Sequence, residues 1–203
     1  MSNVDGPTPF DDVVRSFESG TTAPDPRTDV DTASLVERYP ELGRASVRDL
    51  GIPVSHGEIP ARLYLPEGTP NGLLVGAHGG SFIGGNLDMP EANWAALALA
   101  ARGFAVLSVE YTKALFGVHF PVPSIDLLEA WNWAVDNLGI SAASMHLGGA
   151  SAGANLAAGV GVRLRDGQGR LPASLVLVYP QVHAVFPEGS AAARAAAETL
   201  SPV

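Results

Sequence analysis

Four short apolar runs, Leu73–Ala77, Phe104–Val109, Met145–Gly148 and Leu175–Tyr179, constrain this chain more than anything else in it. Leu73–Ala77 is continuously apolar, as expected of a strand buried on both faces, and Phe104–Val109 reads as the next buried strand; Met145–Gly148 reads as a short strand and Leu175–Tyr179 as the last clear one. Segments of helical length separate them. Glu91–Arg102 is closed by Gly103, Ser124–Leu138 follows Pro121 and Pro123 and ends at Gly139, and Ala152–Arg165 stops at Gly167 and Gly169. Glycine past the last helical turn and proline before the first are the usual boundary signals. Strands alternating with helices specify an α/β fold: a doubly wound, mostly parallel sheet with flanking helices and its chemistry at the strands' carboxyl ends. Upstream, Ala45–Leu50 and Ala61–Leu65 read as an earlier pair of strands, with Pro53 and Gly57 in the turn region. The Ala-rich stretch Ser190–Leu200 reads as a further helix.

Residues 1–44, rich in Pro, Asp and Thr, read as an N-terminal cap or lid, and residues 45–203 as the main domain. In the cap, Phe10, Val13, Val14 and Phe17 make one helical stripe. That stripe suits a lid over a site and equally a helix packed on the domain.

Composition removes several function classes. With 46% hydrophobic and 16% charged residues the chain can build a core. Twelve basic residues against 21 acidic give a net charge of −9, with no basic face for nucleic acid. The absence of cysteine excludes disulfides and thiol chemistry. His56, His78, His119, His146 and His183 are scattered without metal-ligand spacing, so neither a metal nor another cofactor is expected. The first residues carry no basic, apolar signal pattern, and no apolar run is long enough to span a bilayer. A cytoplasmic protein is the expectation.

Two motifs carry chemistry. Gly149-Ala150-Ser151-Ala152-Gly153 is a Gly-x-Ser-x-Gly pattern, weak evidence alone but here placed after an apolar run and before a helix. A nucleophile elbow needs that strand–turn–helix setting, because the sharp turn lifts the serine hydroxyl above the sheet. Its neighbours must be small, and here all are Gly or Ala. Alternatively, Ser151 is an incidental helix cap. The second motif, His78-Gly79-Gly80-Ser81-Phe82, directly follows Leu73–Ala77. Glycines there allow backbone N–H groups to approach a substrate, as an oxyanion hole requires, or merely serve tight packing.

With these motifs in this order, the chain resembles the bacterial hormone-sensitive-lipase family of α/β-hydrolase esterases from about Ala45 to Pro180. The likeness also includes Val109-Glu110-Tyr111, His119-Phe120-Pro121-Val122-Pro123, Ala154-Asn155-Leu156-Ala157-Ala158 and Leu177-Val178-Tyr179-Pro180. The resemblance implies hydrolysis of small carboxylic esters beneath an N-terminal helical cap. It implies Ser151 as nucleophile, and the N–H groups of Gly80, Ser81 and Ala152 as oxyanion donors with Gly79 in support. His78 is then a loop-orienting residue rather than the base, and Gly149 and Gly153 support the elbow. There are departures: Ala150 stands where the family has an acidic residue, Ser81 replaces a frequent third glycine, and Thr112-Lys113 replaces an arginine-containing run.

In that family the triad acid and histidine follow the Tyr-Pro strand, in that order. Here 23 residues follow Pro180, and His183 and Glu188 come early and in the wrong order. The expectation is therefore a C-terminally truncated esterase lacking the last strands, prone to self-association through an open sheet edge. A non-catalytic ligand-binding member of the fold, as plant gibberellin receptors are, and an amidase or peptidase are the alternatives.

Overall fold

The computed structural model describes residues 9–20 and 31–182, with side chains from Val14 onward in the first stretch. The expected helix around Ser190–Leu200, together with His183 and Glu188, lies outside the described residues. Alternation of apolar runs with helical stretches gives six strands, β1 Ser46–Val54, β2 Gly57–Leu65, β3 Leu73–Ala77, β4 Ala105–Val109, β5 Met145–Ala150 and β6 Ser174–Val178. They form one sheet in the order β1-β2-β4-β3-β5-β6. β4, β3, β5 and β6 run parallel, while β2 is antiparallel to both β1 and β4. Among the described residues the α-helices are α1 Pro9–Glu18, α2 Thr32–Arg38, α3 Trp94–Ala100, α4 Val122–Asn137 and α5 Ala152–Arg165.

Strand periodicity divides the core in two. Leu63, Leu107 and Val75 face α4 and α5, where Leu127, Ala130, Trp131 and Ala134 make the buried stripe of α4. Tyr64 and Val106, one residue out of phase, face the opposite side with Leu97 and Ala100 of α3, and with Leu35 of α2. A period of two in the strands thus feeds two separate apolar layers, as a sheet covered on both sides demands.

Three boundaries correct the sequence reading. Pro53 belongs to β1, paired with Glu58, and only Ser55 and His56 form the hairpin turn. The missing N–H is tolerated because β1 is an edge strand. α3 starts at Trp94 rather than Glu91, which leaves Glu91 in the preceding turn. Pro123 lies inside the first turn of α4, where no intrahelical N–H bond is lost. No stripe announced α2; Asp31 caps it by accepting from the N–H groups of Ala33 and Ser34. Among the described residues, no helix is long and apolar enough to cross a membrane.

Candidate active site

The carboxyl ends of β3 and β5 lie side by side, with Ala77 paired to Gly149. The two motifs leave the sheet from these neighbouring ends, and that adjacency builds the site. Ser151 turns from β5 into α5 at φ +52°, ψ −116°, a region costly for a residue with a Cβ. Its N–H donates to the Val178 carbonyl at 2.9 Å, and its carbonyl accepts from Asn155 at 3.0 Å. The side chain makes no cap bond to α5, so the incidental-cap alternative does not hold.

Glycine is sterically required on both sides of the serine. A Cβ on Gly149 would lie 2.5 Å from the Gly153 carbonyl carbon and 2.6 Å from the Ala77 oxygen. A Cβ on Gly153 would lie 2.5 Å from the His78 carbonyl oxygen. These absent side chains let the start of α5 press against the β3 exit.

Beyond β3 the loop curls back on itself. Gly80 has φ +111°, Ser81 +54° and Phe82 +66°. The Gly80 carbonyl accepts from Ile83 at 3.1 Å and Gly84 at 2.8 Å, and a Cβ on Gly80 would strike the Gly84 carbonyl. A Cβ built on Gly79 would stand 3.3 Å from the Ser151 Cβ, so loop and serine are immediate neighbours. Among the described residues, the N–H groups of Gly80, Ser81 and Ala152 donate to no other group. Three unspent donors thus belong to the serine's own turn and to the adjacent loop, and the N-terminus of the 14-residue α5 adds positive potential.

His78 does not face Ser151. Its ring is buried, with Nδ1 2.6 Å from the Gly79 oxygen and Nε2 3.3 Å from Glu110 Oε1, and it stacks on Tyr111 at 4.7 Å. Tyr111 donates to the His78 and Gly79 carbonyls at 3.2 and 3.1 Å. Burial pushes its hydroxyl pKa well up, aided by the charges of Glu110 and Glu91, so it stays a donor. Gly85, at φ +84°, roofs this cluster: a Cβ there would sit 2.5 Å from both the Gly79 oxygen and His78 Nδ1.

Of the other described histidines, His146 pairs with Ser174 and His56 faces Thr112 and the buried Asp126. None of the described histidines hydrogen-bonds to Ser151. Residues that motif reading missed complete the neighbourhood. Glu91 Oε1 accepts from the Gly79 N–H at 3.3 Å, and Lys113 reaches the Glu110–His78 cluster from the next loop. Neither belongs to a local pattern; sheet order brings them together. Beside the loop, Phe82, Ala114, Phe120, Pro123 and Leu156 line an apolar cavity of about 260 Å³. From the N-terminal segment, the Phe17 ring comes within 3.1 Å of where a Gly84 Cβ would stand, and Glu18 accepts from the Phe116 N–H at 2.7 Å. Among the described residues, no cluster of His, Asp and Glu could hold a metal ion.

The family described by the α/β-hydrolase fold matches residues 74–202. An arylesterase of Saccharolobus solfataricus is 33% identical over 148 residues, which cover 71% of this chain and 48% of the arylesterase. A carboxylic ester hydrolase of Mycobacterium tuberculosis, LipN, is 38% identical over 148 residues, covering 66% of this chain and 38% of its own. The chain spans less than half the length of these two relatives. Among solved structures, a hyperthermophilic esterase from the archaeon Pyrobaculum calidifontis superposes with a TM-score of 0.64 at 30% identity, covering 84% of this chain and 53% of its own. The esterase LipW of Mycobacterium marinum gives 0.65 at 28% identity, with 94% and 57% covered.

Proposed function

The chain belongs to the α/β-hydrolase fold family, and from that premise we propose that it carries the nucleophile and oxyanion hole of a serine carboxylesterase site. One observation carries the reading: a strained serine at a strand–helix elbow lies against a loop in which the Gly80 and Ser81 N–H groups, like that of Ala152, have no partner among the described residues. The esterase names of its relatives support the substrate class.

Ser151 Oγ attacks the ester carbonyl carbon, and the N–H groups of Gly80, Ser81 and Ala152 receive the tetrahedral oxyanion. Collapse breaks the ester C–O bond, the proton given up by Ser151 leaving on the alcohol, and the acyl-serine that remains is then cleaved by water to acid and free enzyme. Gly149 and Gly153 hold the elbow, while Gly79 and His78 hold the loop. The cavity at Phe82 and Leu156 takes the acyl chain, and the N-terminal segment, touching Gly84 and Phe116, covers the site as a cap. Amidase and peptidase chemistry would use the same elbow.

A fluorophosphonate probe tests the reading directly. Labelling that disappears in Ser151→Ala, with turnover of p-nitrophenyl esters over anilides, is the expected result. Complete absence of labelling in the intact chain would overturn it in favour of a binding role.

A further inference from the structure

Lys113 stands at a position that belongs to neither motif, yet its ammonium occupies the middle of the loop-supporting cluster. It contacts Glu110 Oε1, lies 3.0 Å from His78 Nε2, donates to the Tyr111 carbonyl at 3.2 Å, and sits 4.2 Å above the Tyr111 ring. Burial lowers its pKa, while the charges of Glu110 and Asp126 work the other way.

The two nitrogens of the His78 ring face groups with opposite demands. Nδ1 is 2.6 Å from the Gly79 carbonyl, which can only accept, so Nδ1 carries the hydrogen. Nε2 is 3.0 Å from an ammonium, which can only donate, so Nε2 is bare. Glu110 takes a hydrogen from the same ammonium rather than from the ring. One cation thus satisfies two acceptors and leaves a single tautomer.

That tautomer has a mechanical consequence. The Nδ1–H and the Tyr111 hydroxyl together pin the Gly79 oxygen. The Gly79–Gly80 peptide is planar and trans, so fixing its C=O fixes the Gly80 N–H in the opposite direction. We infer that Lys113 is a positioning residue of the oxyanion loop: it holds His78 in the Nδ1–H form, and through the Gly79 carbonyl it aims the Gly80 N–H away from His78. Its effect on turnover rests on the esterase reading; its effect on the ring does not.

The test is ¹⁵N-histidine NMR of the full chain near neutral pH, with His78→Gln to assign the signal. The wild type and Lys113→Arg should both show a protonated Nδ1 and a bare Nε2. Lys113→Met should lose that signature, because Nε2 then faces Glu110 with no ammonium between them. In parallel, Lys113→Met should lower kcat on p-nitrophenyl acetate about tenfold, with KM within about twofold, since deleting a whole oxyanion donor costs about 10²–10³. Lys113→Arg should recover most of it. A wild-type ring protonated at Nε2 and bare at Nδ1, or a ring state unchanged in Lys113→Met, overturns the inference. The expected ring states without turnover in any variant would retain it and count against the esterase reading.

Discussion

Ser81 and Phe82 hold consecutive left-handed backbone conformations that side chains disfavour, directly beside the serine. Ser81→Gly should exchange about 1–2 kcal/mol of that strain for about 0.5–1 kcal/mol of added chain entropy. A net gain of about 0.5–1 kcal/mol in urea unfolding is expected, with activity retained, since the proposed site draws only on the backbone N–H of this residue. Gly80→Ala should act in the opposite sense. Its methyl meets the Gly84 carbonyl, so a loss of about 1–3 kcal/mol and of ester turnover is expected. Glu110 sets a pH dependence. Burial alone would raise its pKa, but the adjoining Lys113 ammonium works the other way, and the carboxyl lies below the ordinary 4.5. A lowered carboxylate pKa stabilises the fold above the ordinary value and loses that contribution as pH falls through the folded value. The melting-temperature gap between wild type and Glu110→Gln should therefore narrow as the pH is taken below 4.5.

At the scale of elements, α2 depends on one residue. Asp31 accepts from Ala33 and Ser34 N–H at 3.2 and 3.1 Å, and Asp31→Ala should cost about 1 kcal/mol by chemical denaturation. This helix was not legible in the sequence, because only Leu35 of its seven residues is buried and no apolar stripe marks it. β3 and α5 were legible to the residue, since a fully apolar run and a glycine-bounded helix are local signals. The end of β1 was not: Pro53 looks like a turn residue until the sheet order shows it on an edge. The site divides the same way. Gly149–Gly153 and His78–Ser81 announce themselves by spacing, whereas Glu91, Tyr111 and Lys113 acquire their partners only once β3, β4 and β5 lie side by side. The α1 stripe was readable, but its contact with Gly84 was a tertiary fact beyond any periodicity.

For the molecule as a whole, the distribution of apolar surface is uneven. The sheet is covered on both faces around β3, whereas β6 pairs only with β5 among the described residues. Leu175, Val176 and Val178 of β6 are 41%, 41% and 44% exposed, values far from those of the other parallel strands. An apolar strand with a free edge is a template for pairing with another chain. Concentration-dependent association in sedimentation velocity is the expected outcome, and Val176→Lys should reduce it by placing charge on the exposed face. Equal behaviour of the two proteins would sink that expectation.

The bond from the Ser151 N–H to the Val178 carbonyl ties the elbow to this outermost strand. The serine is therefore only as firmly seated as β6, although the helix it begins packs deep in the core. Its amide should exchange with deuterium through peeling of the edge, well before the Leu147 amide at the sheet's centre. On warming, loss of probe labelling should then precede the cooperative melt: the reactive atom would wear out before the scaffold does.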